Sequence, residues 1–363
     1  MRGDNMIRFA LALCAALAAT PPAWSAGEAP AAEIEVYRSN RITPEDFSQR
    51  YAVQLRTLLQ KRALAGRSAP AAKAAQELQA KIEEDIRKSW GVPYVSMVWS
   101  TDVLGEGPRK TILTIDVVEA NDAKERMPFR AAPQKAFEDP QGVLALWTQY
   151  NDLGWSLVRA GAVQMSRAAC KGLFCQWGEQ TPELAALEAK LAERAPAVEK
   201  MLGQILLQDK DPKHRANAVF VLSYLPNGNQ IAHQIASALV DPDPEVRKAA
   251  FLVYADIAVF SSDVYLPIDQ LVAGVDYPGA EERAKALAVV IGVASNPFYR
   301  AHLVHGAADH LVDLLRLKHP VNHDLAVTAL GLLFKDSLKA DDFDGWKRVV
   351  QKAKAEVPPP AKK

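Results

Sequence analysis

LVDPDPEVRKAAFLVY, residues 239–254, is the stretch whose reading decides the fold. Asp243 can cap a helix, Pro244 suits the first helical position, and Glu245 meets the positive end of the helix dipole. From Arg247, small or apolar residues follow at +3, +4 and +7: Ala250, Phe251 and Tyr254. That spacing makes one buried stripe of a helix. The same face returns from Arg215 (Ala218, Val219, Leu222), from Arg283 (Ala286, Leu287, Val290) and from His323 (Ala326, Val327, Leu330). Recurrence at this period predicts stacked helix pairs, a solenoid, over residues 205–356. Such arrays present long surfaces for binding. No enzymatic reaction can be read from the pattern.

Upstream of the array the periodicity changes. Residues 33–38 alternate as a short strand around Ile34 and Val36. Thr43-Pro44-Glu45-Asp46 opens a helix striped by Phe47, Tyr51, Leu55 and Leu58, and a second helix over residues 70–89 carries Leu78, Ile82 and Ile86. Residues 94–101 and 110–119 alternate as two more strands, joined by a hairpin loop at Gly105-Glu106-Gly107-Pro108. The expected fold is therefore mostly α: a C-terminal α-solenoid of helix pairs, preceded by a small α+β domain of order β-α-α-β-β over residues 33–119. Residues 120–140 read as a polar, Pro-interrupted linker over the surface. Residues 141–204 read as a helical connecting region, with Thr181-Pro182 starting one helix and residues 197–207 supplying its partner. Residues 357–363 (VPPPAKK) read as a disordered tail.

Residues 1–25 read as a cleavable secretory signal: Arg2 and Arg8, a short apolar core at 9–20, Pro21-Pro22, then small residues before Ala26. This predicts a periplasmic or secreted protein with no transmembrane segment in the mature chain. Cys14 leaves with the signal, so Cys170 and Cys175 remain, most simply as a structural disulfide worth about 2 kcal/mol. A redox pair and half of a metal site are the rival readings. Lys and Arg total 43, as do Asp and Glu, so the strong basic footprint of a nucleic-acid binder is missing. No cofactor motif is present.

Asp211-Pro212 to Arg215, Asp241 to Arg247, Asp276 to Arg283 and the fourth copy at 320–326 resemble HEAT repeats, the short bacterial type first noticed in bilin lyases. The resemblance implies antiparallel helix pairs in a curved array. It also implies a structural ladder in which Asp211, Asp241 and Asp276 bond Arg215, Arg247 and Arg283 of successive turns, with Arg247 reaching Asp211 or Asp276. The β-α-α-β-β segment, with WGVPYVSMVW and ILTIDVVE, resembles a POTRA-type module of bacterial envelope proteins; Ser39-Asn40 stands where the usual glycine would be. That likeness implies strand edges able to pair with a partner's extended segment.

Five of the seven histidines fall between His302 and His323: His302, His305, His310, His319 and His323. His302-x-x-His305 has ligand-like spacing, whereas Pro320 separates His319 from His323. The leading expectation is a non-enzymatic scaffold for a protein or peptide of the cell envelope. The alternative is a metal-dependent envelope enzyme with its site near His302–His323.

Overall fold

The computed structural model describes residues 32–65, 68–101, 111–165 and 170–361. The secretory-signal reading, Cys14 and the Gly105–Pro108 loop lie outside the described residues.

The N-terminal unit is β1 (Ala32–Tyr37), α1 (Pro44–Ala65), α2 (Ala69–Trp90), β2 (Tyr94–Thr101) and β3 (Thr111–Val118). Thr43 caps α1 reciprocally: its hydroxyl accepts from Asp46 N–H at 3.0 Å and donates to the Asp46 carboxylate at 2.8 Å. The sheet runs β1-β3-β2, with β1 parallel and β2 antiparallel to the central β3. Leu113, Ile115 and Val117 of β3 pack with Phe47, Tyr51, Leu58, Ile82 and Ile86 of α1 and α2 to form this unit's own core. Thr114 and Asp116, on the other face of β3, are also fully buried. Alternation of polar and apolar residues implies a face in water; here that face lies against the helical array.

The array begins with α3 (Val143–Arg159) and α4 (Pro182–Gln208), followed by the pairs α5 (Pro212–Leu222) with α6 (Gly228–Ile235), α7 (Pro244–Phe260) with α8 (Ile268–Ala273), α9 (Ala280–Val293) with α10 (Ala308–Leu314), and α11 (Pro320–Phe334) with α12 (Phe343–Glu356). The first helices α4, α5, α7, α9 and α11 pack each against the next. The residues at the predicted stripe, Ala218, Val219, Leu222, Ala250, Phe251, Tyr254, Ala286, Leu287, Val290, Ala326 and Leu330, are all buried between them, while Val327 is half-buried. Asp211 and Asp243 cap α5 and α7 by accepting from Lys213 and Glu245 N–H, each at 2.8 Å. The molecule is mostly α, a solenoid of helix pairs behind a small α+β domain.

The expected pair of helices across residues 182–207 is a single helix, α4, running unbroken through Pro196. Proline removes one main-chain bond and crowds the preceding turn. Leu191, Ala195, Val198 and Leu202 are buried on both sides of it, and that packing holds the helix together.

Candidate functional site

The ladder edge, where each first helix begins, can be built residue by residue. Arg215, Arg247 and Arg283 are all buried, and each donates through Nη1 to the carbonyl six residues earlier: Asp209, Asp241 and Tyr277 at 2.8, 2.6 and 2.9 Å. Each also reaches the next repeat. Arg215 makes a two-pronged bond to Asp241 at 2.9 and 2.7 Å, Arg247 grips Glu282 at 2.7 and 2.8 Å, and Arg283 donates to Asn322 at 3.2 Å. Forked arginine–carboxylate pairing fixes orientation as well as energy.

Two sequence expectations are corrected here. Arg247 reaches neither Asp211 nor Asp276, because Glu282 on the incoming α9 lies nearer its fork. Asp211 is a helix cap; the residue equivalent to Asp241 is Asp209, which accepts from Asp211 N–H just as Asp241 accepts from Asp243 N–H. The cap and the rung are both aspartates two residues apart, so spacing alone does not separate them.

Asp276 serves another unit. Arg38, at the end of β1, donates to both its oxygens at 2.7 and 2.8 Å, and Arg126 donates to its carbonyl at 3.0 Å. Asp116 of β3 lies at the centre: Arg283 Nη1 donates to it at 2.5 Å, Gly279 N–H at 3.0 Å and Arg126 Nη2 at 3.2 Å. Gly279 has φ of +99°, a conformation L side chains rarely adopt, and this turn aims its N–H at Asp116. Burial pushes the Asp116 carboxyl up, but Arg283 and Arg126 outweigh it and hold it below the ordinary value. Tyr37 lies beneath, with the Arg283, Arg126 and Arg38 guanidiniums 4.8, 5.7 and 6.0 Å from its ring centre.

Residues 126–139 then run back along the edge, visiting the rungs in reverse order. Arg126 meets Asp276, Phe129 lies 3.6 Å under the Arg247 guanidinium, and Arg130 donates to Asp241 at 2.5 Å. The Lys135 main chain pairs alongside Asp209, donating to Gln208 C=O at 3.1 Å and accepting from Lys210 N–H at 2.6 Å. The segment read as a linker is a strap across the ladder. The ladder arginines are thereby engaged internally, by carboxylates, an amide, carbonyls and aromatic rings of this chain.

Between the two units, Arg62, Gln79, Ser96, Trp99, Lys248 and the first residues of α9 line a cavity of about 320 Å³. The outer edge of β2 borders it. That edge is occupied at its centre, since Met97 N–H donates to Glu83 at 2.8 Å and Met97 C=O accepts from Gln79 at 2.8 Å. Strand addition along β2 is therefore blocked at Met97.

The histidines diverge. His302 pairs with Asp269 at 2.5 Å, His305 Nε2 lies 2.7 Å from Val357 C=O, and His310 lies 3.6 Å from Asp276. His323 pairs with Asp324 at 2.7 Å, and buried His319 is held down to about 4 by burial and by Arg283. Among the described residues, one group of His, Cys, Asp and Glu donors comes within metal-binding reach, and it contains no histidine: Cys170, Cys175 and Glu188. The cysteine sulfurs stand at bonding distance, with Cα atoms 5.8 Å apart.

At the opposite ends of α7 and α9, about 25 Å from the ladder by helical rise, the turns carry exposed aromatics. Tyr265 is 69% exposed and Phe298 64%, with ring centres 5.9 Å apart. Phe260, the last residue of α7, is 50% exposed. Sequence periodicity could not flag Tyr265 and Phe298, because they sit in turns outside any stripe. Among the described residues these three are the exposed large aromatic side chains. The turn bearing Tyr265 is fixed: Asn229 Oδ1 accepts from Tyr265 N–H at 2.8 Å, and Leu266 N–H donates to Tyr299 Oη at 3.1 Å.

One stretch of the chain matches a known protein family. Residues 199–290 match the family of HEAT repeats. The match runs from the second half of α4 through most of α9, and it supports a HEAT-repeat protein. The fourth pair, α11 with α12, continues the same packing beyond the matched residues. A search of curated proteins finds no match. Among the described residues no helix is long and apolar enough to cross a membrane.

Proposed function

We propose that this chain is an exported scaffold that holds a protein or peptide partner in the cell envelope, and that the aromatic edge at Phe260, Tyr265 and Phe298 is where the partner docks. HEAT repeats commonly serve as protein-interaction scaffolds. The observation that carries the reading is the asymmetry of the two edges. The ladder edge is closed by the strap and by ion pairs within the chain, whereas the opposite edge presents aromatic rings to water on turns already fixed by hydrogen bonds. Exposed, pre-ordered aromatic clusters are the usual anchors of protein interfaces. Periplasmic or secreted location rests on the signal reading of residues 1–25. The N-terminal unit, similar in sequence order to POTRA modules, acts in this reading as a rigid cap on the array.

A photo-crosslinking residue at position 298, expressed in the native cell, gives a discrete adduct that Tyr265→Ala abolishes. The same probe at position 135 on the strap gives none. Equal labelling from both positions, or none from 298, defeats the assignment. Mass analysis of the N terminus, expected at Ala26, tests export independently.

A further inference from the structure

The loop from Cys170 to Gly178 is built asymmetrically. Cys175 is buried and Cys170 is half-buried. Two donors converge on Cys175 Sγ: Gly178 N–H at 3.1 Å and Tyr150 Oη at 3.9 Å, where the phenol must donate because a disulfide sulfur has no proton to give. Glu188, fully buried on α4, places a carboxylate oxygen within 4.8 Å of both sulfurs. Its Oε1 accepts from Lys171 N–H at 2.9 Å, the Gly172 N–H also faces the carboxylate, and Oε2 has no partner at full hydrogen-bond geometry. A bridge that only staples a loop needs neither a buried carboxylate beside it nor two donors aimed at one sulfur.

We propose that Cys170–Cys175 is an exchange-active disulfide that oxidises thiols of a small-molecule or peptide substrate, with Cys170 the sulfur attacked and Glu188 the proton donor to Cys175. A substrate thiolate attacks Cys170 Sγ, and the Cys170–Cys175 bond breaks as the new sulfur–sulfur bond forms. Cys175 leaves as a thiolate, stabilised by Gly178 N–H and Tyr150 O–H, and takes the Glu188 proton. A second substrate thiolate attacks the substrate sulfur of the mixed disulfide and releases Cys170 as a thiolate. Two substrate thiols become one disulfide, and the protein gains the two electrons. Exchange runs fastest through the sulfur whose partner leaves most readily, and here that partner is Cys175. Burial pushes the Glu188 carboxyl up, so it retains a proton to give at higher pH than an exposed glutamate does.

The test uses the full chain carrying Cys14→Ser, with glutathione as the probe and quantification by alkylation and mass spectrometry between pH 5 and 9. Glu188→Gln slows reduction of the disulfide by about a hundredfold or more at neutral pH, the low side of what a positioned acid contributes, and removes the Glu188 limb of the pH profile. In a second arm, Cys175→Ser takes up one glutathionyl group at Cys170 from glutathione disulfide, whereas Cys170→Ser leaves buried Cys175 unmodified; this arm stands even if Glu188→Gln misfolds. The proposal is overturned if wild type and Glu188→Gln share one rate and profile, which marks a purely structural bridge. Equal labelling of the two serine variants also overturns it. So does tight zinc binding by the reduced protein with no glutathione adduct at Cys170.

Discussion

Replacing Asp116 by alanine tests the joint between the two units. The carboxylate is fully buried and receives Arg283 at 2.5 Å, Gly279 N–H at 3.0 Å and Arg126 at 3.2 Å. Its removal leaves two buried guanidiniums facing a void. Breaking a buried pair from one side costs roughly 3–5 kcal/mol. Asp276 stands 3.6 Å from Arg126 and Asn322 accepts from Arg283 at 3.2 Å, so the low end, about 3 kcal/mol, is the expected loss. Urea unfolding followed by far-UV circular dichroism measures it. Hydrogen exchange should rise first in β3 and around residues 276–283. Asp116→Ala combined with Arg283→Met should recover part of the loss, because the apolar pair leaves one buried charge fewer. The acid dependence follows from the depressed carboxyl. Its stabilisation is complete above the unfolded value near 3.9 and is lost as pH falls through the lower folded value. A loss below about 1 kcal/mol, the range of exposed ion pairs, would falsify the view that this network is dry and holds the units together.

Further outcomes follow from the same contacts. His319, with a folded value of about 4 against 6.5 unfolded, resists protonation in the native state; stability is full above pH 6.5 and declines by about 3 kcal/mol on descending toward pH 4. His319→Leu flattens that slope in urea midpoints taken across this range. Arg130→Ala removes the bond to Asp241 and those to the Leu206 and Leu207 carbonyls, costing about 2 kcal/mol; strap cleavage by a protease without basic-residue specificity should accelerate, and an unchanged rate refutes the strap's anchoring role. Gly154→Ala places a methyl 2.2 Å from Trp177 Nε1, an overlap worth about 1–3 kcal/mol, read from the thermal midpoint and the tryptophan emission maximum.

Local chemistry made much of the architecture legible. Strand and helix bounds in the N-terminal unit follow directly from alternation and from Thr43-Pro44, and the repeated Asp-Pro starts place α5 and α7. Pro196 misled for a reason of the same kind: proline reports a local penalty, while the burial of Leu191, Val198 and Leu202 that outweighs it is a tertiary quantity. The ladder was legible in kind, with arginines playing a structural part. Its partners were misassigned because Asp209 and Asp211, or Glu282 and Asp276, are interchangeable in sequence and differ only in which one the fork can reach. Tyr265 and Phe298 carried no signal at all, since no periodicity governs turns.

The amino-acid order alone determined that residues 205–356 form stacked helix pairs and that a β-α-α-β-β unit precedes them, because both depend on spacings within one element or between neighbours. Tertiary structure decided that the polar face of β3 is buried, that Asp116 joins Arg283 across 167 residues, and that residues 126–139 close the ladder. A carboxylate on an alternating strand is equally consistent with water or with a buried arginine, and its environment is fixed only when a distant surface of matching charge comes to rest against it.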